Sequence, residues 1–342
     1  MADQPISKRA WTLEERMLSR KKLFFFADRI AWECNTIESS DVVNDGISPA
    51  HVSRNLPIDH ATDTTCKVYR TKDSEHRSWT FTVQWYMMRK LTKPHDKLRA
   101  IGGLADYQQK ALEDQYLAGL WRMFIPAGLL WRRVVRLQQG DGDSGLQDRP
   151  IGYRAPSWSW AAIEGEIKYT DLAEEGGSVE CAVLGHTRSI ESIMKLDIVD
   201  AAVTLASPNK PFGGVTGGFI KATGMMKTIQ GNFKPTSHTD FGDMFRLDLS
   251  TSPEPSFVDF WPDSITDLPQ DGQKLCLLGV DGEGEAEKTG GSMRSKYSFY
   301  VRGVALESLP DGNFQRMGFF EYRDSDFDRL IRGFHRREVK IV

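Results

Sequence analysis

Cysteine is scarce: 342 residues contain Cys34, Cys66, Cys181 and Cys276, and no Cys-x-x-Cys or His-x-x-x-His pair stands among them. That spacing excludes zinc-finger folds and disulfide scaffolds, and predicts reduced thiols. Long apolar runs are missing as well. LFFFA at 23–27 is among the longest and is far too short to cross a bilayer. The opening MADQPISKRAWTLEERM has no apolar stretch of signal-peptide length, so a cytoplasmic protein without a membrane partner is expected. Charge of one sign is absent, with 44 Lys+Arg against 47 Asp+Glu and a net charge of −3. No general attraction to nucleic acid follows, and no basic stretch is interleaved with stacking aromatics.

Cofactor signatures are lacking too. No Walker sequence occurs. GGVTGG at 213–218 has the wrong spacing for a dinucleotide fingerprint and lies between strand-like runs. Asp141-x-Asp143-x-Gly145 fails as a calcium loop, because its twelfth position is Gly152 instead of glutamate. Asp59-His60-x-x-Asp63 and His95-Asp96 have no companion histidines. The expectation is a protein with no metal and no organic cofactor.

What remains is a chain rich in aromatics, with 9 Trp, 9 Tyr and 18 Phe. Thr12 and Glu15 have the spacing of a capping box, which predicts a short helix ending near 20–22. LFFFAD and IAWECN predict two strands around Asp28-Arg29. Residues 36–78 read as a long loop. From 79 to 138 the pattern is helical, with an amphipathic stretch at 105–124 and a further helix after Pro126. GDGDSG at 140–145 reads as a domain boundary. Beyond 150, short β-favouring runs alternate with Gly- and Pro-rich turns, and 279–296 reads as a long charged hairpin loop. The fold class predicted is α+β: a mainly helical part at 1–150 with a short hairpin, then an all-β part at 151–342. The β part is an antiparallel sandwich or open barrel, packed on the first around a shared seam.

Several stretches, in order, carry a resemblance. They are RAWTLEERMLSRKKLFFFADRIAWEC (9–34), LTKPHDKLRAIGGLA (91–105), YLAGLW (116–121), GLLW (128–131) and YRAPSWSWA (153–161). Together they resemble the fungal heterokaryon-incompatibility (HET) family, from the end of the HET domain onward. The resemblance implies a cell-death or non-self-recognition context. It also implies that the TIR-like core, which precedes the Trp-Thr helix in that family, is missing ahead of Trp11.

The candidate site follows from RAPSWSWAA at 154–162. As a strand opened by Pro156, it puts Trp158 and Trp160 on one face and Ser157 and Ser159 on the other. The two rings either glue the seam or wall a pocket. Ser157 and Ser159 lack the Gly-x-Ser-x-Gly elbow of a nucleophile. Arg154, Ser157 and Tyr153 could polarise a carbonyl. In Trp32-Glu33-Cys34, Trp32 would line the pocket, and Glu33 is either a buried acid or base or a surface carboxylate. The catalytic candidates are Glu33, Tyr153 and Arg154; the substrate-binding candidates are Trp32, Ser157, Trp158 and Trp160. Two functions stay open. One is a cofactor-independent cyclase, isomerase or [4+2] pericyclase of fungal specialised metabolism, folding a hydrophobic small molecule. The other is a non-catalytic recognition module of the incompatibility type, with a protein partner. An exposed apolar patch near 79–88 would favour the second.

Overall fold

A computed structural model describes residues 8–26, 30–34, 38–40, 43–47, 71–134, 147–170, 194–230, 233–238, 242–248, 257–270, 272–287, 296–324 and 326–342. The chain divides into two compact units, Met1–Asp114 and Gln115–Val342. The boundary read at 140–145 lies outside the described residues.

The first unit opens on α1 (Trp11–Leu18). Its N-cap is Ala10, without a side-chain cap. Thr12 does not cap; its hydroxyl donates back to Arg9 O at 2.7 Å from inside the helix. The capping box read from the sequence therefore places the N-cap two residues too late, at Thr12 instead of Ala10. β1 (Lys21–Phe25) and β2 (Ile30–Cys34) form the expected antiparallel pair, in the register Leu23–Trp32 and Phe25–Ile30. β3 (Glu38–Ser40) and β4 (Val43–Ile47) extend it to a four-stranded sheet in sequence order.

α2 (Lys72–Met87) starts earlier than the sequence suggested, inside the stretch read as loop. A reciprocal capping box begins it. Ser74 N–H donates to Thr71 Oγ1, and Thr71 N–H donates to Ser74 Oγ, each at 3.1 Å. The helix buries Trp79, Val83, Tyr86 and Met87, so the 79–88 stretch is mostly core; only its Phe81 and Met88 are exposed large apolar residues. α3 (Gly102–Leu112) follows, and Gly103 N–H donates to Glu14 Oε2 at 3.1 Å, a carboxylate placed at a helix N-terminus.

The second unit begins where the amphipathic helix was expected to continue. Glu113 ends α3 in the left-handed region at φ 51°. Next, β5 (Tyr116–Leu117) and β6 (Leu120–Trp121) form a hairpin. Its two turn residues, Ala118 and Gly119, both have positive φ, 44° and 103°. That is the chemistry of a two-residue hairpin turn, and it outweighed helical periodicity. The helix predicted after Pro126 is only α4 (Ile125–Gly128). Trp131–Arg133 is instead β7, paired antiparallel with β8 (Ile167–Tyr169).

β9 (Asp197–Leu205), β10 (Val215–Gln230), β11 (Phe233–His238), β12 (Gly242–Asp248), β13 (Phe257–Pro262), β14 (Lys274–Glu287), β15 (Lys296–Ser308), β16 (Phe314–Asp324) and β17 (His335–Ile341) build one large sheet, with α5 (Phe327–Ile331) before its last strand. The order is β11-β12-β13-β16-β15-β14-β10-β17, all neighbours antiparallel, with β9 alongside β10. β17 also meets β16 in parallel at Phe314–Ile341, and Val342 N–H donates to Phe314 O at 2.9 Å. The path β16-β15-β14-β10-β17 thus returns on itself. The fold is α+β with a large antiparallel sheet. The charged stretch read as a loop from 279 is strand as far as Glu287, where Glu287 pairs with Lys296. Met194, Phe260, Leu275, Leu277, Val301, Phe320 and Tyr322 are part of the buried core against this sheet. Cys34 and Cys276 are unbridged thiols. Among the described residues no helix is long and apolar enough to cross a membrane.

Candidate functional site

RAPSWSWAA is not a strand. Residues 157–158 turn, and Trp160–Ala162 form a 3-10 turn capped by Ser159, whose Oγ accepts from Ala161 N–H at 3.1 Å. The strand alternation expected for Trp158 and Trp160 therefore does not apply. Both rings are completely buried. Trp160 Nε1 donates to Gly119 O at 3.0 Å, and Ser159 Oγ donates to Ala118 O at 2.5 Å, so the turn is bolted to the β5–β6 hairpin. Trp158 O accepts from Trp131 Nε1 at 3.3 Å. Both tryptophans are core, fully buried and lining neither the cleft at Tyr153 nor the hollow at Thr266.

Arg154 and Ser157 are equally committed. Arg154 Nε donates to Ala161 O at 2.6 Å, its Nη2 donates to Ile163 O at 2.8 Å, and its Nη1 pairs with Glu164. It closes the turn on itself. Ser157 donates through N–H (3.1 Å) and through Oγ to Val342 O, and its Oγ accepts from Arg316 N–H at 3.0 Å. A hydroxyl with both functions spent is a poor nucleophile and a poor carbonyl donor.

Beneath this turn lies a buried charge cluster that carries no sequence motif. Arg316 and Asp263 pair at 2.8 Å, both side chains fully buried. Arg316 also donates to Leu129 O (2.7 Å) and Trp131 O (2.6 Å), with its guanidinium 3.5 Å from the Trp131 ring centroid. Arg149 grips Asp267 through Nε at 3.2 and 3.0 Å and through Nη2 at 2.8 Å. Burial raises the Asp267 carboxyl from 3.8 to about 6; Arg149 opposes this and Asp263 adds to it. In the folded chain Asp267 keeps a proton that the unfolded chain has shed between those values. Its contribution to stability is thus present at pH 4 and lost as the pH rises through 6. Relative to Asp267→Asn, the wild type is expected to lose up to about 3 kcal/mol across that window, read by urea denaturation at each pH. Parallel pH profiles for the two proteins would refute this.

An open cleft of about 370 Å³ lies over the cluster, lined by Tyr153, Arg154, Ser157, Arg149, Gln315 and Val342 among others. Gly218 also lines it, and a Cβ there would stand 2.7 Å from Pro156 Cγ, so only glycine lets β10 approach the turn this closely. Tyr153 is 52% exposed, and burial of the rest lifts its hydroxyl to about 12, so it stays a neutral donor at physiological pH. A second, more polar hollow of about 510 Å³ is lined by Thr266, Gln270, Gln273, Glu307 and Met317, among others.

Of the residues read from sequence, the structure brings Tyr153, Arg154 and Ser157 to one cleft and excludes Trp158 and Trp160 from it. Trp32 and Glu33 belong to the first unit, on β2. Trp32 is exposed there, and the Glu33 side chain lies outside the described residues. His60 with its two aspartates, and Asp141 with Asp143, also lie outside them. Asp96 sits 3.6 Å from Arg99, an ordinary surface pair. Among the described residues no cluster of three or more His, Cys, Asp or Glu could hold a metal ion. Sequence reading missed Arg149, Asp263, Asp267 and Arg316. Strand alternation would not have found Arg316: a bulge at Met317 sets Arg316 opposite Leu306 and Gly318 opposite Ala305, so the two lie on different faces of the sheet.

No protein family, curated protein or solved structure matches the chain.

Proposed function

We propose that this chain is a recognition module of the heterokaryon-incompatibility type, binding a protein partner through the β1–β2 hairpin. One observation carries the reading. Leu23, Phe25, Ile30 and Trp32 are exposed on a single face of that hairpin, as the cross-strand pairs Leu23–Trp32 and Phe25–Ile30. Phe25 is 75% exposed. A contiguous face of four large apolar side chains is unusual on a surface without a partner. The sequence resemblance to the incompatibility family points the same way. A photo-crosslinking residue at position 25 is expected to yield one discrete protein adduct in the native host, and Trp32→Asp should abolish it. Phe25→Asp with Trp32→Asp should leave stability within about 0.5 kcal/mol, as exposed positions do. Absence of an adduct, or unfolding of the double variant, would sink the reading.

A cofactor-independent enzyme is the second reading. The cleft at Tyr153 favours it, its volume falling in the range of small-molecule sites, roughly 300–1,000 Å³. Trp158 and Trp160 do not line this cleft, and the Tyr153 hydroxyl there makes no hydrogen bond among the described residues. Mass-neutral conversion of a polyene or unsaturated carbonyl by the purified chain, lost on Tyr153→Phe, would move the assignment to this reading.

A further inference from the structure

Arg149 both lines the cleft and serves the buried cluster behind it. Its Nε and Nη2 are taken by Asp267, and Nη2 also donates to Arg316 O at 2.7 Å. Its Nη1 has no hydrogen bond among the described residues. Asp267 itself is only 2% exposed and does not line the cleft. The charged groups around it come from several elements. Asp263 follows β13, with Arg149 Nη2 3.7 Å away. Arg316 on β16 pairs with Asp263. Arg133 on β7 donates to the Asp263 carbonyl at 3.4 Å. Ser264 supplies a neutral hydrogen bond to Asp267. Among the cleft-lining residues, the Tyr153 hydroxyl and the Gln315 amide also make no hydrogen bond among the described residues, while Pro150, Ala155 and Ala162 offer small apolar wall.

We propose that this cleft binds a small carboxylic acid with a flat apolar body, its carboxylate taken by Arg149, and that Asp267 competes with the ligand for the same guanidinium. Three uncommitted donor groups, of which only Arg149 is charged, suit a monoanion. A phosphate dianion would bring twice the charge towards Asp263 and Asp267 through one shared cation. The competition gives binding a direction with pH. When Asp267 gains a proton, Arg149 loses its nearer counter-charge and keeps only Asp263, 3.7 Å from Nη2 and itself paired with Arg316, so its hold inside the protein weakens in favour of the ligand. Burial sets that step at about 6, where an external carboxylate is still ionised.

The test uses the full chain labelled with ¹⁵N-glycine and three probes: benzoate, neutral benzamide and inorganic phosphate. Benzoate is expected to shift the amides of Gly152, Gly217 and Gly218, and to bind roughly ten-fold more tightly at pH 5.5 than at pH 7.5. Benzamide should bind more weakly than benzoate and show no pH dependence. Asp267→Asn should bind benzoate at pH 7.5 as tightly as the wild type does at pH 5.5. The proposal is overturned if benzoate leaves the three glycines unmoved, if benzamide matches it, if phosphate matches it at pH 7.5, where phosphate is largely a dianion, or if its wild-type affinity does not change with pH. The wild-type pH series needs no variant, so a poorly folded Asp267→Asn would not shelter the proposal.

Discussion

Replacing Arg316 by alanine is expected to cost the second unit about 3–5 kcal/mol, the scale of breaking one side of a buried ion pair. The expectation rests on what is left behind. Asp263, at zero exposure, would lose its paired guanidinium, and the carbonyls of Leu129 and Trp131 would each lose a donor. Arg316→Lys should be nearly as damaging. An ammonium has no planar fork with which to reach Asp263 and two carbonyls at once, and it stacks less well on Trp131. The paired change Arg316→Met with Asp263→Leu separates charge from shape. Removing both ions relieves the desolvation cost and should recover about half of the loss. It cannot recover all of it, because the two carbonyls stay unpaired. Urea denaturation of the full chain reads each step. A loss below about 1 kcal/mol for Arg316→Ala would mean that water reaches the cluster.

The same residues explain what could be read in advance and what could not. The β1–β2 pair was legible because apolar density and a polar break fell at strand spacing. The later strands β9, β10, β12 and β14–β17 were legible for the same reason. The stretch from Asp114 to Arg133 was not. Leu117, Leu120, Trp121 and Phe124 satisfy a helical period as well as a hairpin followed by short turns. The deciding facts are two positive φ values at Ala118 and Gly119. Periodicity sees hydrophobic spacing; it does not see that Trp160, some forty residues later, supplies the donor that holds Gly119 in place. RAPSWSWAA failed for a related reason. Arg154, Ser157, Ser159 and Trp160 bond backbone groups of the hairpin, of Ala161 and Ile163, and of Val342, so tertiary bonds override strand alternation. In the candidate cleft, Tyr153 was picked out with Arg154 and Ser157 as a possible hydrogen-bond donor, and all three line the cleft. Arg149 was not picked out, because its partner Asp267 is more than a hundred residues away.

Trp160 and Gly119 should prove energetically coupled, and the coupling separates a structural tryptophan from a ligand-binding one. Trp160→Ala is expected to cost about 3–5 kcal/mol, the range for truncating a fully buried aromatic. Gly119→Ala should cost about 2–4 kcal/mol for two reasons. The residue sits at φ 103°, and a Cβ there would stand 2.6 Å from the Trp160 ring. In the double variant the missing ring makes room for the new methyl. Only the backbone strain of Gly119→Ala then remains, so the double should fall short of the sum of the singles by about 1 kcal/mol or more. Additive losses would mean that the hairpin relaxes away from the ring without help. A Trp160→Ala chain that keeps its full stability would return this tryptophan to the list of pocket residues. The contact between Trp160 and Gly119 argues for the coupled outcome, because the indole already occupies the space beside Gly119 that a methyl would need.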